Sequence, residues 1–307
     1  MNNTKIELNP HQTVLVIGGK GFIGRHIVRQ LENWGCDVLV GTRCQNLRSI
    51  NERKIEIHLI HHESELDKVL KHVDVVVNAV GILRERKGET YDQVHHLAVE
   101  TLAIACKKRD IRFIHISALG LDNEVKSQFL NSKKDGERAV QRIKGDWYIV
   151  RPSLVDGDGG YGAKWFRRVA KWPIHFAPAN ANGVITPIHV EDLAECIAKI
   201  ALKADNAVLE TDRIYEIGGE HQVTVLEYLK LLEPNVNAFS FKVPAWFSRL
   251  TSHIFDLFKI TPFSFGHYEL LKFDNKPTKN QTKELIANLN RQLGGHQSNY
   301  RPALNQS

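Results

Sequence analysis

Cysteine is scarce, 4 in 307 residues, at Cys36, Cys44, Cys106 and Cys196. They form neither a metal-ligand spacing nor a secreted disulfide framework, so the expectation is reduced thiols in a cytosol-like compartment. Long apolar runs are missing as well. No stretch reaches the roughly eighteen apolar residues that a membrane-spanning helix needs. Met1 to Thr13 carries neither an apolar signal core nor an Arg-rich transit pattern. Dense basic stripes are absent. The net charge of +6 is diffuse, which favours phosphorylated ligands or an anionic surface and argues against nucleic acid. The 15 histidines include His61-His62 and His95-His96, yet neither pair has Cys or acid neighbours in ligand spacing, and no metal is expected.

What is present is a globular composition, 42% hydrophobic and 25% charged, able to bury a core. One segment stands out. Val14-Leu15-Val16-Ile17 runs into Gly18-Gly19-Lys20-Gly21-Phe22-Ile23-Gly24, and Ile23, Ile27 and Leu31 then recur four apart. Strand, glycine turn and amphipathic helix in that order form the opening of a dinucleotide-binding βαβ unit. Glycine at such a turn lets the backbone approach a pyrophosphate, whose charge rests on the N–H groups of the helix start.

Alternating strand and helix patterns continue through the first half. Strands are expected at 37–40, 55–60, 73–78, 112–116 and 147–150, with helices at 92–108 and 129–143. Further on, the pattern predicts helices at 190–202 and 223–232 and a strand at 213–217. The fold class is therefore α/β, a Rossmann-type doubly wound parallel sheet with a small, mainly helical C-terminal lobe. Residues 1–11 read as an N-terminal extension and 12–238 as the nucleotide-binding domain, of which 151–238 contributes partly to the substrate-side lobe. Residues 239–289 read as a helical C-terminal region and 290–307 as a disordered tail.

An acid at the end of the second strand would hold the ribose 2′-OH of NAD(H). Here that end is Val40-Gly41-Thr42-Arg43, with no carboxylate before Glu52. Arg43 is suited instead to a 2′-phosphate, so NADP(H) is expected over NAD(H). The fourth strand ends in Asn78-Ala79-Val80-Gly81, a small-residue loop beside the ligand crevice.

Taken with Ser117-Ala118-Leu119-Gly120, Ser132-Lys133-x-x-Gly136-Glu137 and Arg151-Pro152-Ser153, these motifs resemble the atypical and extended short-chain dehydrogenase/reductases. Val77 to Leu83, Tyr91-Asp92-Gln93-Val94-His95, Tyr215 to Gly219 and Val243-Pro244 narrow the resemblance to the subgroup containing the dehydrogenase-like accessory subunit of respiratory complex I and its bacterial relatives. It covers about residues 12 to 275. The resemblance implies cofactor contacts from Gly18 to Gly24, Arg43, Asn78 to Gly81, Ser117, Lys133, Arg151 and Pro152.

Active members of the wider family use Tyr-x-x-x-Lys on one helical face, the lysine holding the ribose and the phenol moving a proton. Lys133 matches, but the tyrosine position is Phe129. Ser117 lies near the partner-serine position, and the residue one step on is Ala118. Lys133 and Ser117 thus stand as remnants of a catalytic set, with no confident catalytic residue. Tyr91, Tyr148 and Tyr161 are the other phenols near strand ends or crevice loops. A family Asp near the adenine is also missing, its nearest equivalents being His58-Leu59.

Two aromatic and basic segments, Ala163 to Trp172 and Trp246 to Lys259, fit either packing on the core or contact with a membrane interface. Three functions remain open. The first is an NADP(H)-binding accessory or assembly factor, without catalysis, whose partner is a respiratory complex or a membrane-peripheral protein. The second is an NADPH-dependent reductase or epimerase acting on a small or lipid-like ligand. The third is a redox-sensing regulator. The expected location is cytoplasmic, at or near the inner face of the membrane.

Overall fold

The computed structural model describes residues 12–43, 47, 49–57, 60–124, 126–178, 183–203, 212–233, 238–243, 269 and 273–286. Its centre is a seven-stranded sheet ordered β3-β2-β1-β4-β5-β6-β10. The strands are β1 (Thr13–Ile17), β2 (Asp37–Thr42), β3 (Glu52–Lys54), β4 (Val75–Asn78), β5 (Arg112–Ile116), β6 (Trp147–Pro152) and β10 (Ile214–Ile217). Every neighbouring pair is parallel. The first six strands follow the doubly wound order 3-2-1-4-5-6, whose direction reverses between β1 and β4. Ligands of such sheets bind outside the carboxyl ends at that reversal.

The apolar runs are long because both faces are covered. Val14 and Val16 of β1 point to one cluster with α1 (Phe22–Asn33) and α5 (Val190–Leu202). Leu15 and Ile17 point to the other, with α2 (Ala98–Lys108). Helix α3 (Gln128–Gln141) lies on that second face and contributes Val140.

A smaller cluster joins α4 (Tyr161–Ala170) to α6 (Val225–Leu232) through Phe166, Val169, Tyr228 and Leu229. Buried Asp156 of β7 (Val155–Asp156), the strand that pairs with β9 (Ile188–His189), binds Arg167 of α4 at 2.9 Å and ties this lobe to the chain leaving β6.

Three expectations need correction. The third strand is Glu52–Lys54, before the predicted 55–60. The Ile55 N–H still donates to the Thr42 carbonyl, but Ile55, Ile57 and Ile60 then turn into the core. Their apolarity marks burial, not a ladder. The C-terminal region does not begin as helix. Phe239–Val243 forms β11, parallel to β8 (Ile174–Pro178), as its alternating aromatic and polar residues favour. Finally, residues 273–286 run as an irregular strap with one short helix, α7 (Thr282–Leu285). The Gln281 N–H donates to the Glu216 carbonyl, and Leu285 and Ile286 reach the core beside α5. The segments 1–11, 244–268 and 290–307 lie outside the described residues, as do His58-Leu59 and Trp246 to Lys259.

Candidate dinucleotide-binding site

The carboxyl ends of β1, β4 and β5 lie side by side, with Ile17 opposite Asn78 and Asn78 opposite His115. The loops that leave them, at Gly18, Ala79 and Ser117, therefore open on the same crevice. Gly18 adopts φ +79°, and its carbonyl accepts the Gly21 N–H at 2.8 Å, closing the turn. A Cβ on Gly24 would lie 2.2 Å from the Gly18 carbonyl oxygen, so only glycine lets α1 start this close to β1. Helix α1 has neither a side-chain cap nor an acid in its first turn. Its first N–H groups and positive dipole end thus suit an anion.

A cavity of about 320 Å³ opens beside this turn. Gly18, Lys20, Gly21, Arg43, Ala79, Val80 and Gly81, all singled out in the sequence, line it. Gly19, Phe22, Ile23 and Gly24 build the turn and helix behind it, and Phe22 packs under the Gly157–Gly160 loop.

The wall also contains Thr42, Ile55, Ile57, Ile82 and Glu89, none of which was expected as a cofactor contact. Ile55 and Ile57 offer apolar contact for a base, and their alternation inside the expected third strand was the available signal. Glu89 carried none. It is buried on the far strand of a tight Arg86–Glu89 turn and binds Arg43 at 2.9 Å. Lys20 is likewise paired with Glu52 at 2.8 Å.

Deeper in the crevice, Asn78 is fully buried. Its Oδ1 accepts the Val80 N–H at 3.2 Å and shapes the 78–81 loop. Its Nδ2 faces His115 Nδ1 at 3.4 Å. Burial, reinforced by Lys133, holds the His115 imidazole neutral, with a pKa near 3.

A π-helical turn, Gln93–Leu97, presents His95. His95 Nε2 accepts the Ile82 N–H at 3.0 Å, which leaves Nδ1–H to donate to Ser132 Oγ at 3.0 Å. Ser132 in turn donates to the Phe129 carbonyl at 3.0 Å. Burial, with the Lys133 charge beside it, holds the His95 pKa well below its usual value, and this chain of donors requires the neutral ring. Helix α3 can approach because a Cβ on Gly136 would fall 2.0 Å from the His95 carbonyl oxygen.

The Lys133 ammonium lies 5.9 Å from the centre of the Phe129 ring, and a Cβ on Gly81 would sit 3.9 Å from its Nζ. Burial lowers its pKa to about 8, a shift that nearby Glu137 opposes. Among the described residues Nζ makes no hydrogen bond or ion pair. Ser117 Oγ is buried and also without a hydrogen-bond partner. Buried polar groups normally have partners. An orphaned hydroxyl, an ammonium without a hydrogen bond and an uncapped helix start therefore fit a nicotinamide dinucleotide running from the glycine turn towards α3.

Phe129 is buried among Tyr91, Leu121 and Leu130, with Tyr91 and His95 edge-on at 5.5 and 5.6 Å between ring centres. The alternative phenols are engaged elsewhere. The Tyr91 hydroxyl donates to the Leu83 carbonyl, and Tyr148 is a core residue. Tyr161 is 63% exposed on α4.

Arg151 stands apart from the cavity. Its guanidinium binds Glu137 at 2.5 Å and Asp122 at 2.7 Å, so it clamps β6 to α3. The same motif thus divides its work: Ser132 serves His95, Lys133 the crevice, Gly136 the helix crossing and Glu137 the buried arginine. Pro152 ends β6 and lines no part of the cavity.

Of the aromatic segments, Trp165 packs against Phe166 in the small lobe, whereas Trp172 is exposed near Lys164, Arg168 and Lys171 in sequence. Among the described residues no helix is long and apolar enough to cross a membrane.

Residues 18–203 match the family model described as NAD(P)H-binding. The NADH dehydrogenase [ubiquinone] 1 alpha subcomplex subunit 9, mitochondrial, of Dictyostelium discoideum is 29% identical over 231 residues, 71% of this chain and 62% of that protein. A ceramide reductase of Caulobacter vibrioides is 28% identical over 186 residues, 59% of this chain and 58% of that one. The chain spans about three fifths of the length of these curated relatives. Among solved structures, Thermus thermophilus UDP-glucose 4-epimerase in complex with NAD superposes with a TM-score of 0.55, at 20% identity, over 76% of this chain and 86% of that one. That likeness concerns the fold.

Proposed function

Since the chain belongs to the NAD(P)H-binding family, we propose that it binds NADP(H) without catalysis, as an accessory or assembly factor of a respiratory membrane complex. One observation carries this reading: the glycine-turn cavity is kept and Lys133 reaches Gly81 on its wall, while a phenyl ring stands where the family's proton donor belongs. The relative in Dictyostelium named as a complex I subunit supports the partner. The exposed Trp172, with cations nearby in sequence, supports attachment at a membrane face.

When bound, the nicotinamide supplies a hydride acceptor or donor. The chain's own residues bind and orient. The α1 N-terminus holds the pyrophosphate at the middle of the molecule, Lys133 the nicotinamide ribose, and the loop shaped by Asn78 runs between the two. Arg43 meets the 2′-phosphate. Replacing it with alanine is expected to weaken NADPH binding about ten- to hundredfold, the loss of one charge-assisted contact. NADH binding should change little. Calorimetry with both nucleotides measures this, and a wild-type preference for NADH counts against the reading.

Mass spectrometry of the protein isolated from its native cells tests the function as a whole. The expected result is bound NADP(H) together with subunits of a larger membrane assembly. A protein recovered free of both would end this proposal.

A second reading, an NADPH-dependent reductase of a lipid-like substrate, is favoured by the similarity to ceramide reductase and by the Lys133 amine, whose pKa near 8 suits proton exchange at neutral pH. It requires nicotinamide absorbance to change when such a substrate is added. The regulator reading requires partner affinity to follow the redox state of the nucleotide.

A further inference from the structure

The adenosine end of the cavity carries an acid that no strand-end pattern supplies. Glu89 follows β4 by eleven positions, on a turn whose Arg86, Lys87 and Gly88 are exposed while Glu89 itself is buried. The turn is closed by reciprocal hydrogen bonds, Arg86 N–H to the Glu89 carbonyl and Glu89 N–H to the Arg86 carbonyl, each 3.0 Å. Its last residue is therefore held in place against the wall. The carboxylate reaches Arg43, just past the end of β2, at 2.9 Å, and both residues line the same cavity as Gly41 and Thr42.

We infer that Glu89 sets the choice between NADP(H) and NAD(H) at this site, by competing with a 2′-phosphate for Arg43 and by offering an acceptor to an unmodified ribose 2′-OH. This deepens the proposed nucleotide-binding function and rests on it.

The physics has two parts. A 2′-phosphate must share Arg43 with a carboxylate already hydrogen-bonded to it, and it faces that carboxylate's negative charge across a cavity partly shielded from water. Both effects oppose phosphate and neither opposes a hydroxyl. A ribose hydroxyl, by contrast, donates to a carboxylate, the role that the family's acid at the end of β2 would fill. The glycine turn and α1 would hold the pyrophosphate at the centre of the dinucleotide, whereas Glu89 would act on the adenosine ribose beside it, so a change at Glu89 removes no pyrophosphate contact. The site thus contains the elements for either cofactor, with the balance set by one buried charge. Lys20, which also lines the cavity, is paired in the same way with Glu52 at 2.8 Å. The phosphate-favouring cations of this site are consequently met by acids supplied from other parts of the chain.

The test compares NADPH and NADH by calorimetry on the full chain, with 2′,5′-ADP and 5′-AMP as probes of the adenosine end alone. Glu89→Gln keeps the shape and removes the charge. It is expected to tighten NADPH and 2′,5′-ADP about tenfold, the scale of one partly screened charge contact, and to weaken NADH and 5′-AMP, whose 2′-OH loses a charged acceptor. If this variant does not fold, Arg43→Ala and Arg43→Ala/Glu89→Gln are compared instead. The double variant, which lacks the carboxylate that the single one leaves in the cavity, should bind 2′,5′-ADP more tightly than the single one. A ratio of NADPH to NADH affinity that stays constant in these variants overturns the inference while leaving nucleotide binding standing. Wild-type protein that binds none of the four probes overturns both.

Discussion

Purified protein given NADPH and a generic carbonyl, alcohol or nucleotide-sugar substrate is expected to bind the nucleotide and leave its absorbance unchanged. The missing general acid is worth about 10²–10⁴-fold in rate, and Phe129 has no hydroxyl to supply it. The surroundings reinforce the deficit. His95 packs edge-on against Phe129, but its Nε2 is occupied by the Ile82 N–H and its Nδ1 by Ser132. Tyr91 donates to the Leu83 carbonyl. Phe129→Tyr would place a phenol beside the Lys133 amine, and a trace of activity is the expected gain, smaller still if Ala118 and not Ser117 holds the partner-serine position. Brisk NADPH oxidation by the wild type that survives Lys133→Met would show the site to be misassigned. Brisk oxidation lost in Lys133→Met would favour the reductase reading, with the lysine as donor.

Gly21→Asp is expected to abolish nucleotide binding while leaving the fold in place. A Cβ at this position has one close neighbour, the Gly18 carbonyl oxygen at 3.0 Å, so the added side chain points into open crevice. Its carboxylate would then occupy the helix start that should receive the pyrophosphate, with like charge opposed to like. Saturating NADPH at a hundred times its dissociation constant should stabilise the wild type by about 2.7 kcal/mol, read as a rise in Tm that the variant lacks. Equal rises in both proteins would falsify the assignment of the glycine turn. Gly24→Ala is the informative contrast, because its methyl group meets backbone at 2.2 Å and should lower the Tm of the unliganded protein.

The sheet was legible because its strands are buried on both faces and therefore written as continuous β-branched runs, as Val14 to Ile17 and Val75 to Val77 illustrate. The glycine turn was legible because the backbone path itself demands glycine at Gly18 and Gly24. Partners distant in sequence were not. Glu89 meets Arg43 across 46 positions, and nothing in the local pattern of an exposed Arg-Lys-Gly turn announces it. The family resemblance implied a cofactor contact for Arg151, whereas its neighbours in space are Glu137 and Asp122. Phe239 to Val243, expected within a helical region, alternates with a period of two as a strand does, and its pairing partner lies 65 positions earlier in the chain, at Ile174.

The strap at residues 273–286 bears on the order in which the site comes into being. Asn275 Nδ2 donates to the Leu119 carbonyl at 3.0 Å, and Ser153 Oγ donates to the Asn275 carbonyl at 2.6 Å. The loop that carries Ser117 is thus braced by a residue 156 positions downstream of Leu119. By contrast, β1, the glycine turn, α1 and β2 are adjacent in sequence and close on one another as soon as they exist. Contacts across so long an interval form late, since the loop they close is large. On the ribosome the pyrophosphate end of the crevice can therefore take shape while the nicotinamide end still lacks its back wall. A nucleotide captured by the nascent chain would be held first by its phosphates, and its nicotinamide would find ordered walls only after the strap had docked.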